Sequence, residues 1–154
     1  MNKDEFVNLI NSIVFDSKKL MDKYCNIEDV HVNYACIFCQ NEKEEMEFNS
    51  LAGELGSIIE DTQTGPLYKI RPLETRFGRL QLLKVRSVDQ TRPERGDADF
   101  TITNFDQFWN ENKGRPQFKL IEREDFVMIE LMDESFDVRT YFSNPPLDVQ
   151  HGLV

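Results

Sequence analysis

The sequence predicts an α+β domain in which strand, helix and further strands follow one another twice, behind one added N-terminal helix. Three observations predict it. Apolar residues recur at helical spacings in three stretches, near 3–24, 41–59 and 104–113. Between and after these lie short runs of apolar residues bounded by Gly, Pro, Asn and Asp, the pattern of strands and turns. The chain of 154 residues, 40% hydrophobic and 30% charged, is long enough for one core and ordinary enough in composition to form it. Its 12 Phe argue against disorder, because their burial offsets the entropy lost on ordering the chain.

The first helix, over 3–24, has Phe6, Leu9, Ile10, Ile13, Val14, Leu20, Met21 and Tyr24 at spacings of three and four, and Asn2 with Glu5 forms a capping box. Residues 30–39, VHVNYACIFC, read as a strand. One face carries Val30, Val32, Tyr34, Cys36 and Phe38, the more apolar set, expected to meet the helices. The other carries His31, Asn33, Ala35, Ile37 and Cys39, polar at its start and suited to a wet cleft. Asn41 with Glu44 starts a second helix, whose buried stripe is Phe48, Leu51, Ala52, Leu55, Ile58 and Ile59. Gly56 either ends this helix or interrupts it. Gly65-Pro66 opens a turn, 67–71 is extended, and Pro72 confines that segment to an edge or a strand end. The strongest strand of this half is 80–88, with Lys84 and Arg86 on one face.

The polar stretch 89–96, DQTRPERG, is too short to separate independent domains. A strand over 97–103 follows, then a helix from Asn104, with Gln107 completing its cap, through Lys113. That helix buries Phe105, Phe108 and Trp109. Gly114 stops it, and 118–122, 126–132 and 138–142 read as three antiparallel strands. The tail from Asn144, opening with Pro145-Pro146, is expected to be extended, with His151 in it. The organisation is one domain over 1–154: an N-terminal helix (1–27), a first module (28–90), a second module (91–143) and a tail (144–154).

A net charge of −10 repels phosphate backbones and disfavours nucleic acid as a partner. No run approaches the ~20 apolar residues of a membrane span. The N-terminus, with Asp4 and Glu5 ahead of an interrupted apolar stretch, is unlike a secretory signal. The expectation is a cytoplasmic protein. Three cysteines, Cys25, Cys36 and Cys39, then read as free thiols. The Cys36-Ile-Phe-Cys39 spacing lies in a strand, where sites three apart face opposite sides, so it is neither a redox pair nor half of a zinc site. No nucleophilic triad or phosphate loop is readable. Arg95-Gly96-Asp97 matches the cell-adhesion tripeptide, a chance match in a cytosolic chain.

The doubled strand–helix–strands order resembles the paired βαβββ modules of the vicinal-oxygen-chelate superfamily, the glyoxalases and dioxygenases. Within it the nearest likeness is to the YecM-like branch. The matching stretches are VHVNYACIFC with its helix, TGPLYKIRPLE, RGDADFTI opening the second module, and the closing hairpin FVMIELMDESFDVRTYF, together about residues 28–143. The resemblance implies a curved mixed sheet around a cleft. In the metal-dependent members, four residues lining that cleft hold a divalent ion. One comes from the first strand and one from the last strand of each module.

Carried onto this chain, the first slot falls on His31 and the second on Asp97 or Asp99. The third falls near Lys84 or Arg86, where a carboxylate would be expected. The fourth falls near Thr140 or Tyr141, again without one, and Glu130 on the neighbouring strand is the substitute if it faces the cleft. A candidate metal set is thus His31, Asp97, Asp99 and Glu130, and the implied cofactor, if any, a divalent ion. The candidate ligand-binding set is His31, Asn33, Lys84, Arg86 and Tyr141. Lys84 or Arg86 in the cleft would repel a cation and attract an anion.

Plainer roles stand beside these. His31 also reads as a hydrogen-bonded strand residue, and Asp97 and Asp99 as turn residues paired with Arg92 or Arg95. Lys84 and Arg86 also read as sheet charges facing solvent, and the Glu42–Glu47 run as a solvated helix face. The sequence therefore favours a small-molecule-binding protein of glyoxalase-like fold, lacking the standard metal site and taking a small anionic partner. The alternative is a divalent-metal-dependent lyase, isomerase or dioxygenase. A homodimer is compatible with the fold, though no sequence feature demands it.

Overall fold

The computed structural model describes residues 1–154. It begins with helix α1, Lys3–Tyr24. Its first turn is closed by the Asn2 and Glu5 capping box: Asn2 Oδ1 accepts from the Glu5 amide at 2.8 Å and Glu5 Oε1 from the Asn2 amide at 3.1 Å. Strand β1 (His31–Phe38) leads to α2 (Glu42–Leu55), then to β2 (Gly56–Thr62), β3 (Gly65–Thr75) and β4 (Gly78–Arg86). The second module repeats the order: β5 (Gly96–Thr101), α3 (Phe105–Asn112), β6 (Phe118–Glu122), β7 (Val127–Leu131) and β8 (Val138–Asn144). A short helix, α4 (Leu147–Gln150), follows.

All eight strands join one sheet in the order β2-β3-β4-β1-β5-β8-β7-β6. From the central β1–β5 pair outward, the first half runs β1-β4-β3-β2 and the second β5-β8-β7-β6. Each module therefore pairs its first strand in parallel with its last, and the two modules meet through an antiparallel β1–β5 seam. The parallel pairs need a long crossover, which α2 or α3 with the following strands supplies. Helices α1, α2 and α3 cover one face. Phe6 of α1 meets Phe48 of α2 at 5.6 Å, and Phe108 of α3 meets Phe142 at 4.7 Å between ring centroids. A core of 27 buried residues fills this layer, drawing on α1 to α3 and on the inner face of both modules. Buried hydrogen bonds tie α1 down: Ser17 Oγ donates to the Arg139 carbonyl and Thr140 Oγ1 to the Ser17 carbonyl. No helix is long and apolar enough to cross a membrane.

Four expectations are corrected. First, β1 turns over. Val32 pairs with Phe100, but Tyr34 pairs with Asp99, so Asn33 is an extra residue in β1 and forms a bulge. One inserted residue inverts the alternation. Ala35, Ile37 and Cys39 therefore enter the core, while Tyr34, Cys36 and Phe38 face the other way. Second, α2 ends at Leu55. A Cβ on Gly56 would fall 2.0 Å from the Lys69 carbonyl oxygen, so the chain enters β2 there, and Ile58 and Ile59 are exposed on an edge strand. Third, Pro72 lies within β3. It sits beyond the end of β2, which pairs with β3 only as far as Ile70, and inside the register break between Lys69 and Leu73, so its missing N–H interrupts no ladder. Fourth, the tail is not extended: α4 folds back against β1. The three cysteines are free, with Cys36 and Cys39 buried.

Candidate functional site

The sheet face opposite the helices carries a cleft of about 590 Å³, within the range of small-molecule sites. The order of its residues follows from register. Lys84 on β4, Cys36 on β1, Asp97 on β5 and Arg139 on β8 stand side by side across four strands, and of these Lys84 and Asp97 line the cleft. Tyr34, Asp99, Tyr141 and Glu130 form a second row beside it. Arg86 lies two residues along β4 from Lys84, so it points the same way, and it and Arg92 lie over the Phe38 ring at 5.9 and 5.5 Å. Glu60, Thr62 and Thr64 from the β2–β3 hairpin wall one side, and Ile121, Arg123, Phe126 and Met128 around β6 and β7 the other. Leu147, Gln150 and His151 come from the tail.

The carboxylates in this face divide sharply. Asp99 is saturated: its Oδ1 accepts from the Ser143 amide at 3.1 Å and from Asn33 Nδ2 at 3.0 Å, and its Oδ2 from Ser143 Oγ at 2.5 Å. Glu130 accepts from Tyr141 Oη at 2.6 Å and from Arg139 at 3.5 Å, and Arg139 also holds Glu94 at 3.1 Å. Asp97 is only 5% exposed, yet its side chain makes no hydrogen bond or ion pair, and its Oδ1 is buried without a partner. Burial pushes Asp97 up to about 7, Arg92 pulling it back down and Asp99 adding to the rise. Burial likewise raises Asp99 to about 6, against the pull of Ser143 and Asn33.

The cations are the mirror image. Lys84 Nζ donates only to Thr64 Oγ1, and burial lowers its pKa. Arg86 reaches Asp89 at 3.5 Å, and its Nε is buried without a partner. An unsatisfied buried group costs about 1–3 kcal/mol. Of the four buried side-chain atoms without a partner (Asn33 Oδ1, Arg86 Nε, Glu94 Oε1 and Asp97 Oδ1), those of Arg86 and Asp97 belong to residues that line the cleft, where a ligand group would relieve the penalty.

The sequence-predicted residues are thus only partly brought together. Lys84, Arg86, Asp97, Asp99 and Tyr141 share the cleft. Asn33 lies beneath it, bonded to Asp99 and Thr101. Glu130 is closed off by Tyr141 and Arg139. His31 stands at the far end of β1, exposed and packed against Gly78, whose φ of +104° suits glycine and whose absent Cβ would fall 2.1 Å from His31 Nδ1. No three His, Cys, Asp or Glu side chains gather closely enough to hold a metal ion. The candidate set His31, Asp97, Asp99 and Glu130 therefore does not fit one: its members are spread along the sheet, and Lys84, Arg86 and Arg92 adjoin Asp97. Asp97 and Asp99 are strand residues, not turn residues, and Arg95 pairs with Glu44 at 2.9 Å instead. Gly96 and Asp97 are buried in β5, so the Arg95-Gly96-Asp97 tripeptide is not displayed.

Sequence reasoning missed Tyr34, Arg92, Arg123 and the tail. Tyr34 was hidden by the bulge, whose one signal is an Asn inside an apolar strand. The tail carried a signal too: Pro146 directly precedes Leu147–Gln150, and proline favours helix starts.

No family model matches the chain, and no curated protein matches it. Solved structures do. One, described as Structural Genomics, Protein EC4020, is similar with a TM-score of 0.66 at 9% identity, over 91% of this chain and 86% of that chain. A glyoxalase/bleomycin resistance protein/dioxygenase superfamily member from Vibrio splendidus 12B01 is similar with a TM-score of 0.46 at 6% identity, over 74% of this chain and 97% of that chain. At these identities the likeness is one of fold alone, and it rests on the first of the two. The fold is α+β, an eight-stranded mixed open sheet with an added N-terminal helix.

Proposed function

We propose that the cleft binds a small anionic molecule, a carboxylate or a phosphate ester, without a metal ion. The observation that carries this reading is the buried, unpartnered Nε of Arg86, in a cleft it shares with Lys84 and Arg92. The chain as a whole carries −10 and repels anions at long range. Recognition therefore falls to these desolvated cations at short range, where hydrogen bonds to charged groups are strongest. The planar guanidinium of Arg86 suits a carboxylate or phosphate edge, Lys84 adds a point charge, and Tyr34 and Tyr141 supply flat walls. Asn33 has a supporting role, holding Asp99. A divalent-metal lyase, isomerase or dioxygenase would need a ligand set, and His31, Asp97, Asp99 and Glu130 do not converge into one. The sequence likeness to the YecM-like branch belongs to the same reading.

The test is thermal unfolding of the full chain against a panel of small carboxylates and phosphate esters. A true ligand at a hundredfold excess over its Kd stabilises by about 2.7 kcal/mol, which is a rise of several degrees in Tm for a chain of this size. Arg86→Ala and Lys84→Ala each reduce that rise. If no member of either class raises Tm, the anion reading fails.

A further inference from the structure

We infer that the ligand of this cleft carries, beside its anionic group, a hydroxyl or amine that donates a hydrogen bond to Asp97. This rests on the anion-binding reading and deepens it into a substrate class: small hydroxy or amino acids, or phosphate esters with a free hydroxyl.

Lys84, Cys36 and Asp97 are lateral neighbours on adjacent strands. Two strand spacings put Lys84 and Asp97 about 10 Å apart at the backbone. Both line the cleft, so a molecule held between them meets a cation on one side and a carboxylate on the other. Cys36 does not satisfy Asp97: a thiol is a weak donor, and its Sγ donates to the Ile37 carbonyl instead.

The other buried carboxylates of this face have their partners in the protein. Asp99 has Ser143 and Asn33, and Glu130 has Tyr141 and Arg139. Asn33 Oδ1 and Glu94 Oε1 are also buried without a partner, but both side chains are held through their other atoms and neither lines the cleft. Asp97 is the buried carboxylate of the cleft whose side chain makes no hydrogen bond or ion pair at all. Arg92 lines the same cleft but forms no ion pair with it. Burial raises the Asp97 pKa, as expected of a carboxylate awaiting a partner. A purely anionic ligand would satisfy Arg86 and Lys84 and leave Asp97 worse off, a second negative charge beside the first. A ligand that also donates relieves both deficits at once.

The experiment uses matched series that differ only in the donor: succinate, malate and aspartate, and propyl phosphate with glycerol phosphate. Binding to the full chain is measured by titration calorimetry, with wild type, Asp97→Ala and Asp97→Asn compared after their melting curves confirm folding. In wild type the donor-bearing member of at least one series binds about tenfold or more tightly than its donor-free partner. In Asp97→Ala the two affinities come within about twofold of each other. Asp97→Asn keeps an acceptor without the charge, so it retains a preference for hydroxyl and loses one for ammonium, separating the two donors. If donor-free members bind wild type as tightly, or the preference survives in Asp97→Ala, the inference is overturned and the anion reading stands. If no member of any series binds wild type, the anion reading falls and this inference with it.

Discussion

The last strands of the two modules place cationic side chains on the same face of one sheet and treat them in opposite ways. In the second, Arg139 on β8 is held by Glu94 and Glu130, and Tyr141 by Glu130. In the first, Lys84 on the corresponding β4 has only Thr64, and Arg86 only a long contact to Asp89. Both strands pair in parallel with the first strand of their own module, so backbone position does not explain the difference. The supply of carboxylates does: two glutamates reach Arg139, and none reaches Lys84. A buried polar group with its partners beside it holds the fold together. The same kind of group without partners is a candidate for binding something else.

The largest effect that would break this comparison comes from Arg139→Ala. It strands Glu94 and Glu130 in a buried setting and is expected to cost about 3–5 kcal/mol, read from urea unfolding. Arg86→Ala, which strands no buried partner, is expected to cost about 1 kcal/mol or less. Equal losses at the two sites would erase the contrast.

The next effect concerns Asp97. Its pKa is raised from 3.8 to about 7 in the folded chain. The folded state therefore holds this proton more tightly than the unfolded one. The stability it contributes is fully present below about pH 4 and is lost as pH rises through about 7. Asp97→Asn removes that dependence. The variant is expected to gain on wild type between pH 5 and pH 8, by up to a few kcal/mol at about 1.4 kcal/mol per pH unit. Denaturant unfolding at the two pH values measures it, and a gap that shrinks with rising pH would contradict the burial of Asp97.

The smallest expected effect is that of His31→Ala. The side chain is exposed at a strand end, and such substitutions fall within about ±0.5 kcal/mol. Adding Mn²⁺ or Zn²⁺ to chelator-stripped protein is expected to leave the Tm of wild type and variant alike. A rise in wild type that disappears in His31→Ala would return His31 to a metal site and overturn its placement outside the cleft.

Much of the fold is legible because its causes are local. Asn2, Asn41 and Asn104 each cap a helix through an amide three residues on, and that needs no neighbour from elsewhere in the chain. The strands of the closing hairpin region are equally local, alternating stretches separated by tight polar turns. The site is legible only in part. Lys84, Arg86, Asp97 and Tyr141 share the cleft because alternation places residues two apart on one face, and over 83–86 of β4, in β5 and in β8 the pairing is regular. In β1 one bulged residue does, and it sent Tyr34 to the cleft and Ala35 to the core.

By itself, then, the sequence determined the helix starts, the doubled order of elements and the sets of residues that share a face along each regular strand. These depend on interactions within a few residues. Only the tertiary structure decided which way β1 turns after Asn33, where Gly56 must break α2, that residues 147–151 fold back over the cleft, and that Asp99 finds partners while Asp97 does not. Each of these depends on what a distant strand brings into contact: Asp99 is met by Ser143 from β8, Gly56 by the carbonyl of Lys69, and Asp97 by a thiol that does not serve it.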